Sequence, residues 1–184
     1  MSEAWFETLE QRELYRGFSN VRIDTVRTPD GATVEREIVE HDEVVAVVPM
    51  TEDGHVLLLR QYRQPVGRYL LEIPAGTLDV DGESVTEAAR RELAEELEVE
   101  VDRFEPLTVF LNSAGWSTER THVLLGRPAS PVTAPDGFVP EAEEAHMEVV
   151  SLPLDVAVES VVDGTITDAK SVIGLLLADR CVQR

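Results

Sequence analysis

The sequence predicts an α+β fold, a sandwich built on a mixed β-sheet, and three observations carry that expectation. Strand-patterned segments lie before and after one central helix, and helices close the chain, an order unlike that of a doubly wound parallel sheet. The run Val44–Pro49 (VVAVVP) is apolar without alternation, as a strand covered on both faces requires. Residues 84–98 join a capping signal to a helix-forming composition. With 184 residues the chain has the size of one ordinary domain with a full core.

Taken in order, residues 20–40 read as strand, turn, strand. Val21, Ile23 and Thr25 alternate, Pro29-Asp30-Gly31 turns, and Val34, Arg36 and Ile38 share a face of the return arm. A second hairpin is expected from Val44–Pro49 through Glu52-Asp53-Gly54 to residues 56–59. Residues 69–73 form a further short strand. Ser84 and Glu87 make an S-x-x-E capping box for the helix. Strands follow at 107–111, 121–125 and 147–152. A loop is expected at 126–144, broken by Pro128, Pro131, Pro135 and Pro140 and carrying Asp136, Glu141, Glu143 and Glu144. Two helices, Leu154–Val162 and 168–179, are parted at Asp163-Gly164.

Charge narrows the function classes. Against 16 Lys and Arg stand 36 Asp and Glu, a net charge of −20. Such a field repels phosphate backbones and anionic headgroups, so neither nucleic acid nor a membrane surface is an expected partner. An anionic small substrate would need a cation as intermediary. Cys181 is the sole cysteine, which rules out an internal disulfide and suits a reducing cytoplasm. The start, MSEAWFETLEQ, has no basic and apolar leader pattern, and the stretch VIGLLLA falls far short of the roughly 20 residues of a bilayer span. A cytoplasmic location is expected.

The central helix carries the functional argument. On a wheel of about 100° per residue, Ala89, Leu93 and Leu97 define the buried stripe, and Glu92 and Glu96 fall beside it, one turn apart. Arg91 and Glu95, at i and i+4, lie together on the far side, where they can pair. Two half-buried carboxylates repel each other unless something positive lies between them. A hard divalent ion, Mg²⁺ or Mn²⁺, suits oxygen donors and bridges to substrate phosphates. His41, His55, His122 and His146 are dispersed, so no zinc cluster competes.

Gly76, six intervening residues, Glu83, seven more, then Arg91-Glu92-Leu93-Ala94-Glu95-Glu96 resembles the Nudix box, G-x5-E-x7-R-E-U-x-E-E-x-G-U with U a bulky aliphatic residue. Pro29-Asp30-Gly31, Gln61-Tyr62-Arg63 and Leu71-Glu72-Ile73-Pro74-Ala75-Gly76 are similar to the ADP-ribose pyrophosphatase branch of that family. Three positions depart from the pattern. The first spacing has six residues instead of five, the second box glycine is Glu98, and Ala114 replaces the proline that ADP-ribose enzymes usually carry in Ser113-Ala114-Gly115-Trp116-Ser117. If position 98 needs positive φ, Glu98 strains it or shifts the helix end.

The resemblance implies a Nudix-type α/β/α sandwich at 43–184, preceded by an N-terminal antiparallel hairpin region at 1–42 that serves dimerisation. It implies metal-dependent hydrolysis of the pyrophosphate bond in a nucleoside diphosphate linked to another moiety, foremost ADP-ribose to AMP and ribose 5-phosphate. Glu92, Glu96 and the Ala75 carbonyl would bind Mg²⁺ (or Mn²⁺), with Glu95 as ligand or helper, and Arg91 would hold a box glutamate in place. The general base would be a loop glutamate, Glu144 ahead of Glu143. Arg63 would grip a phosphate or form a surface ion pair, and Arg36 would reach substrate or be a paired hairpin charge. Glu72 would bind base or ribose. Trp116 would stack on a base or pack as a rim or core aromatic, and Glu119 would be a site acid or pair with Arg120. A homodimer is the expected state. Other readings are a hydrolase of another nucleotide sugar or dinucleotide, and a non-catalytic nucleotide sensor.

Overall fold

A computed structural model describes residues 5–133 and 146–183. The described residues form ten strands, three α-helices and a 3-10 turn at Gln64–Val66, and the chain divides into two compact units. The first unit spans Met1–Glu43 with Leu111–Arg120, and the second Val44–Phe110 with Thr121–Arg184.

The first unit holds a three-stranded antiparallel sheet of β1 (Glu7–Arg16), β2 (Asn20–Arg27) and β3 (Thr33–Glu40), in the order β1-β2-β3. The β2–β3 hairpin is the expected one, and Gly31 closes its turn at φ 88°. Strand β1 was not expected from the sequence. Every residue of it is exposed, so ETLEQRELYR carries no alternation of buried and solvated positions from which to read a strand. Residues 111–120 join this unit through backbone hydrogen bonds, Val39 N–H to the Trp116 carbonyl and Thr118 N–H to the Val39 carbonyl, at 2.8 and 3.0 Å.

In the second unit, β4 (Val44–Pro49) is buried along its whole length and lies at the heart of a mixed sheet. It pairs antiparallel with β7 (Ala75–Thr77) and parallel with β9 (Arg120–Pro131), and β8 (Val99–Leu111) lies beyond β9. A second sheet has the order β10-β5-β6, from Glu148–Pro153, His55–Arg63 and Arg68–Glu72. The expected hairpin of β4 with β5 therefore does not form. Apart from one bridge, Met50 to Val56, the turn at 51–54 carries the chain out of one sheet and into the other. Two further corrections concern strand length: β8 starts at Val99 directly after the helix, and β9 continues to Pro131, through six residues expected as loop.

Alternation along β4 explains the layers. Val45 and Val47 pack with Ala88, Ala89, Leu93 and Leu97 of α1 (Val85–Leu97). Ala46 and Val48 face the other way, toward Leu154 and Ala157 of α2 (Leu154–Val162) and Leu175 and Ala178 of α3 (Ala169–Val182). Helices thus cover both faces of the strand, which is why it reads as a continuous apolar run. Among the described residues, no helix is long and apolar enough to cross a membrane.

Candidate active site

Helix α1 is fixed at both ends. Ser84 accepts from the Glu87 N–H, and the Glu87 carboxylate accepts from the Ser84 N–H, which completes the capping box. At the other end Glu98 takes the left-handed conformation, φ 54° and ψ 44°, and its N–H reaches the Leu93 carbonyl. The glutamate adopts the glycine conformation and leaves the helix end in place. Among the described residues it is the sole non-glycine with positive φ.

These anchors set Glu92 against β7. A Cβ on Gly76 would fall on the Glu92 carboxylate, so glycine is what lets that carboxylate lie against the strand. The Glu92 side chain is 12% exposed, and burial lifts its pKa to about 6 against the opposing pull of Arg91. One turn on, Glu96 accepts from the Ala75 N–H at 3.2 Å. Both helix glutamates thus meet consecutive residues of one strand, β7.

Arg91 is the hub. It makes two hydrogen bonds to Glu83, at 3.1 and 3.0 Å, one to Glu92 at 2.6 Å, and a longer one to Glu95 at 3.4 Å. The Glu83 carboxylate, foremost among these partners, raises its pKa further. The pairing expected with Glu95 alone is thus a minor part of its role. A wheel places Cα atoms, whereas the arginine stem carries its charge around the helix to Glu83 and Glu92. The six-residue spacing between Gly76 and Glu83 does not prevent this contact.

Glu72, expected to bind base or ribose, lies buried among protein cations. It is 2% exposed and takes Arg63 through a double hydrogen bond, 2.8 and 2.7 Å, and Lys170 at 3.4 Å. Its carboxylate thus braces Arg63 and meets Lys170. The Arg63 side chain remains 39% exposed. Glu72, with Asp168 and Glu96 adding to its field, raises the Arg63 pKa. Sequence reasoning missed Lys170, because nothing local to residue 170 marks a partner at residue 72.

In the first unit, Arg36 and Trp116 line one hollow of about 350 Å³ with Ile23, Glu35, Glu37 and Gly115, and Trp116 is 55% exposed. Trp116 is therefore not a core aromatic. Arg36 donates to the Glu35 carbonyl at 2.8 Å. Glu119 accepts from Asn112 at 2.7 Å, while Arg120 pairs with Glu43 at 3.6 Å, so the expected Glu119–Arg120 pair is absent. Glu141, Glu143 and Glu144 lie outside the described residues.

A NUDIX domain profile matches residues 40–166, more than half of the chain. The chain belongs to the Nudix family. Its Nudix box runs from β7 into α1, and the enzyme class is that of a Nudix pyrophosphohydrolase with ADP-ribose pyrophosphatase relatives. It is 36% identical over 177 residues to an ADP-ribose pyrophosphatase of Mycobacterium tuberculosis, covering 96% of this chain and 84% of the relative. It is 32% identical over 170 residues to a methanol dehydrogenase activator of Bacillus methanolicus, covering 92% and 90%. A solved ADP compounds hydrolase shares the fold, with a TM-score of 0.83 at 23% identity, over 97% of this chain and 94% of that one.

Nudix hydrolases generally use a divalent metal. Among the described residues no three His, Cys, Asp or Glu side chains converge into a preformed metal cage. The donors nevertheless fit an open site for a hard ion. Glu92 is a buried carboxylate set against Gly76, Glu96 lies one turn away against the same strand, and a few carboxylates with water and substrate oxygens suffice for Mg²⁺.

Proposed function

We propose that this Nudix enzyme hydrolyses ADP-ribose, or a close nucleoside diphosphate derivative, to AMP and ribose 5-phosphate with Mg²⁺ or Mn²⁺. One observation carries the reading: Gly76 and Ala75 are the residues against which Glu92 and Glu96 are set. In this reading Glu92, Glu96 and the Ala75 carbonyl hold the ion, and Glu95 assists. An ion held there would supply positive charge against the diphosphate and lower the pKa of a nearby water. Arg91 keeps Glu92 and Glu83 in register, which fixes the carboxylates before substrate arrives.

Arg63 is assigned to a substrate phosphate, through the edge of its guanidinium not turned to Glu72. Glu144, then Glu143, is assigned as general base on the strength of the family resemblance. Arg36 and Trp116 are assigned to the base or ribose, and Glu119 to a supporting acid. The enzyme acts in the cytoplasm, and its N-terminal sheet forms a homodimer. Support for the dimer comes from β1, an edge strand whose neighbourhood exposes Trp5 at 80%, Leu14 at 50%, Tyr15 at 60% and Phe18 at 86%.

A second reading, hydrolysis of another nucleotide sugar or a dinucleotide, is favoured by Ala114 in place of the usual proline. Product analysis decides between them. Metal-dependent release of AMP and ribose 5-phosphate from ADP-ribose, lost in Glu96→Gln, supports the first. Turnover confined to another diphosphate supports the second. Nucleotide binding without turnover of any diphosphate would sink both.

A further inference from the structure

The four residues from Glu72 to Ala75 are each held from outside their own segment. Arg63 and Lys170 hold the Glu72 carboxylate. The Ile73 N–H donates to the Ser171 hydroxyl at 2.8 Å, the Pro74 carbonyl accepts from the Val47 N–H at 3.0 Å, and the Ala75 N–H donates to Glu96 at 3.2 Å. Two of these holds come from the first turn of α3, 98 residues further along the chain.

That turn is wired so that both arms begin at one carboxylate. Asp168 caps α3 by accepting from the Ser171 N–H at 3.0 Å, and the same oxygen accepts from the Ser171 hydroxyl at 2.7 Å. With its proton committed to Asp168, the hydroxyl presents a lone pair to Ile73. The other Asp168 oxygen takes Lys170 at 2.7 Å, and Lys170 spans to Glu72. Ser171 is fully buried, and the Lys170 side chain is only 14% exposed. A helix cap requires only the bond from Asp168 to the Ser171 N–H. Beyond the cap, Asp168 also orients the Ser171 hydroxyl and Lys170, whose outward bonds end on residues 73 and 72, just ahead of Ala75 and Gly76.

We propose that Ser171 and Lys170, both oriented by Asp168, are positioning residues of the active site. They fix the height and tilt of residues 72–75, so that the Ala75–Gly76 backbone meets Glu92 and Glu96 in the geometry that binds the metal. The inference rests on the proposed reading of Glu92 and Glu96 as metal ligands. Loss of such an outer partner costs about 10- to 100-fold in metal affinity or activity.

The test is direct Mn²⁺ binding by electron paramagnetic resonance on the full chain, beside steady-state hydrolysis of ADP-ribose. The variants are Ser171→Ala, Lys170→Met, Glu96→Gln and Leu154→Ala, the last opening a cavity on α2 in the core cluster that also contains Ile73. Ser171→Ala and Lys170→Met are expected to weaken Mn²⁺ binding about 10-fold or more, and to lower kcat with KM little changed. Leu154→Ala loses thermal stability and keeps its Mn²⁺ affinity within about twofold, since it removes no bond to residues 72–76. If Ser171→Ala does not fold, Lys170→Met decides alone. Wild-type Mn²⁺ affinity in the folded variants, or an equal loss in Leu154→Ala, overturns the positioning role. A wild type that binds no Mn²⁺, or a Glu96→Gln that binds it undiminished, overturns the metal reading itself and the inference with it.

Discussion

The carboxylate of Glu92 occupies the place where a side chain on Gly76 would begin. A residue of the helix thus fills the volume that a side chain on the strand would need, so no side chain can be added at 76 without displacing it. Gly76→Ala is expected to push Glu92 off β7 and to lower kcat/KM by about 100-fold or more, the scale of a 1 Å misplacement at a reacting centre. Circular dichroism should show the fold retained. Activity within a few-fold of wild type would mean that the carboxylate position does not matter to the chemistry.

Glu98 offers a prediction of opposite sign. A left-handed glutamate costs about 1–2 kcal/mol, and glycine returns that at an entropic cost of about 0.5–1 kcal/mol. Glu98→Gly should therefore stabilise the protein by about 0.5–1 kcal/mol and raise Tm by about 1–4 °C at this chain length. Activity should stay unchanged. A Tm equal to or below that of wild type in a differential scanning experiment contradicts the strain.

Asp168 supplies a pH dependence. Burial alone would raise its pKa, but Lys170 and the hydrogen bonds from Ser171 outweigh burial and hold it below 3.8. A depressed carboxylate contributes stability that is fully present above its unfolded value, and the contribution fades as pH falls through the folded value. Asp168→Asn should therefore cost about 1–2 kcal/mol at pH 7, and the gap to wild type should close as pH drops below about 4. Urea titrations at several pH values measure it, and a gap independent of pH would count against the ion pair.

The apolar side chains around β1 predict the solution state. Sedimentation or light scattering should return a dimer for the wild type, and Leu14→Glu with Tyr15→Glu should shift it toward monomer. A wild type that stays monomeric at high micromolar concentration would remove the dimer assignment.

Much of the site was legible because its information is local. Ser84 with Glu87 marks where α1 begins, and the spacing from Gly76 to Glu96 puts the carboxylates on one side of one helix. Gly76 could be read as required, although the reason, a carboxylate where its Cβ would stand, appears only in three dimensions. What escaped was tertiary. The strand pairing of β4 is with residues 75–77 and 121–126 and not with its neighbour β5, and no turn signal reports that choice. Lys170 reaches Glu72 across most of the chain. Arg91 chose Glu83 and Glu92 because a long side chain is free to select the strongest field within reach.

The all-buried strand β4 also governs how the protein comes to be folded. Its parallel partner β9 meets it with Val44 opposite Thr121, and its antiparallel partner β7 with Val44 opposite Thr77. Neither pairing can form without closing a long loop, so the entropy of ordering is spent before the central contacts repay it. Folding should accordingly be slow for a chain of this size, on the millisecond-to-second scale, with the amides of Val45 to Val48 among the last to exchange with deuterium.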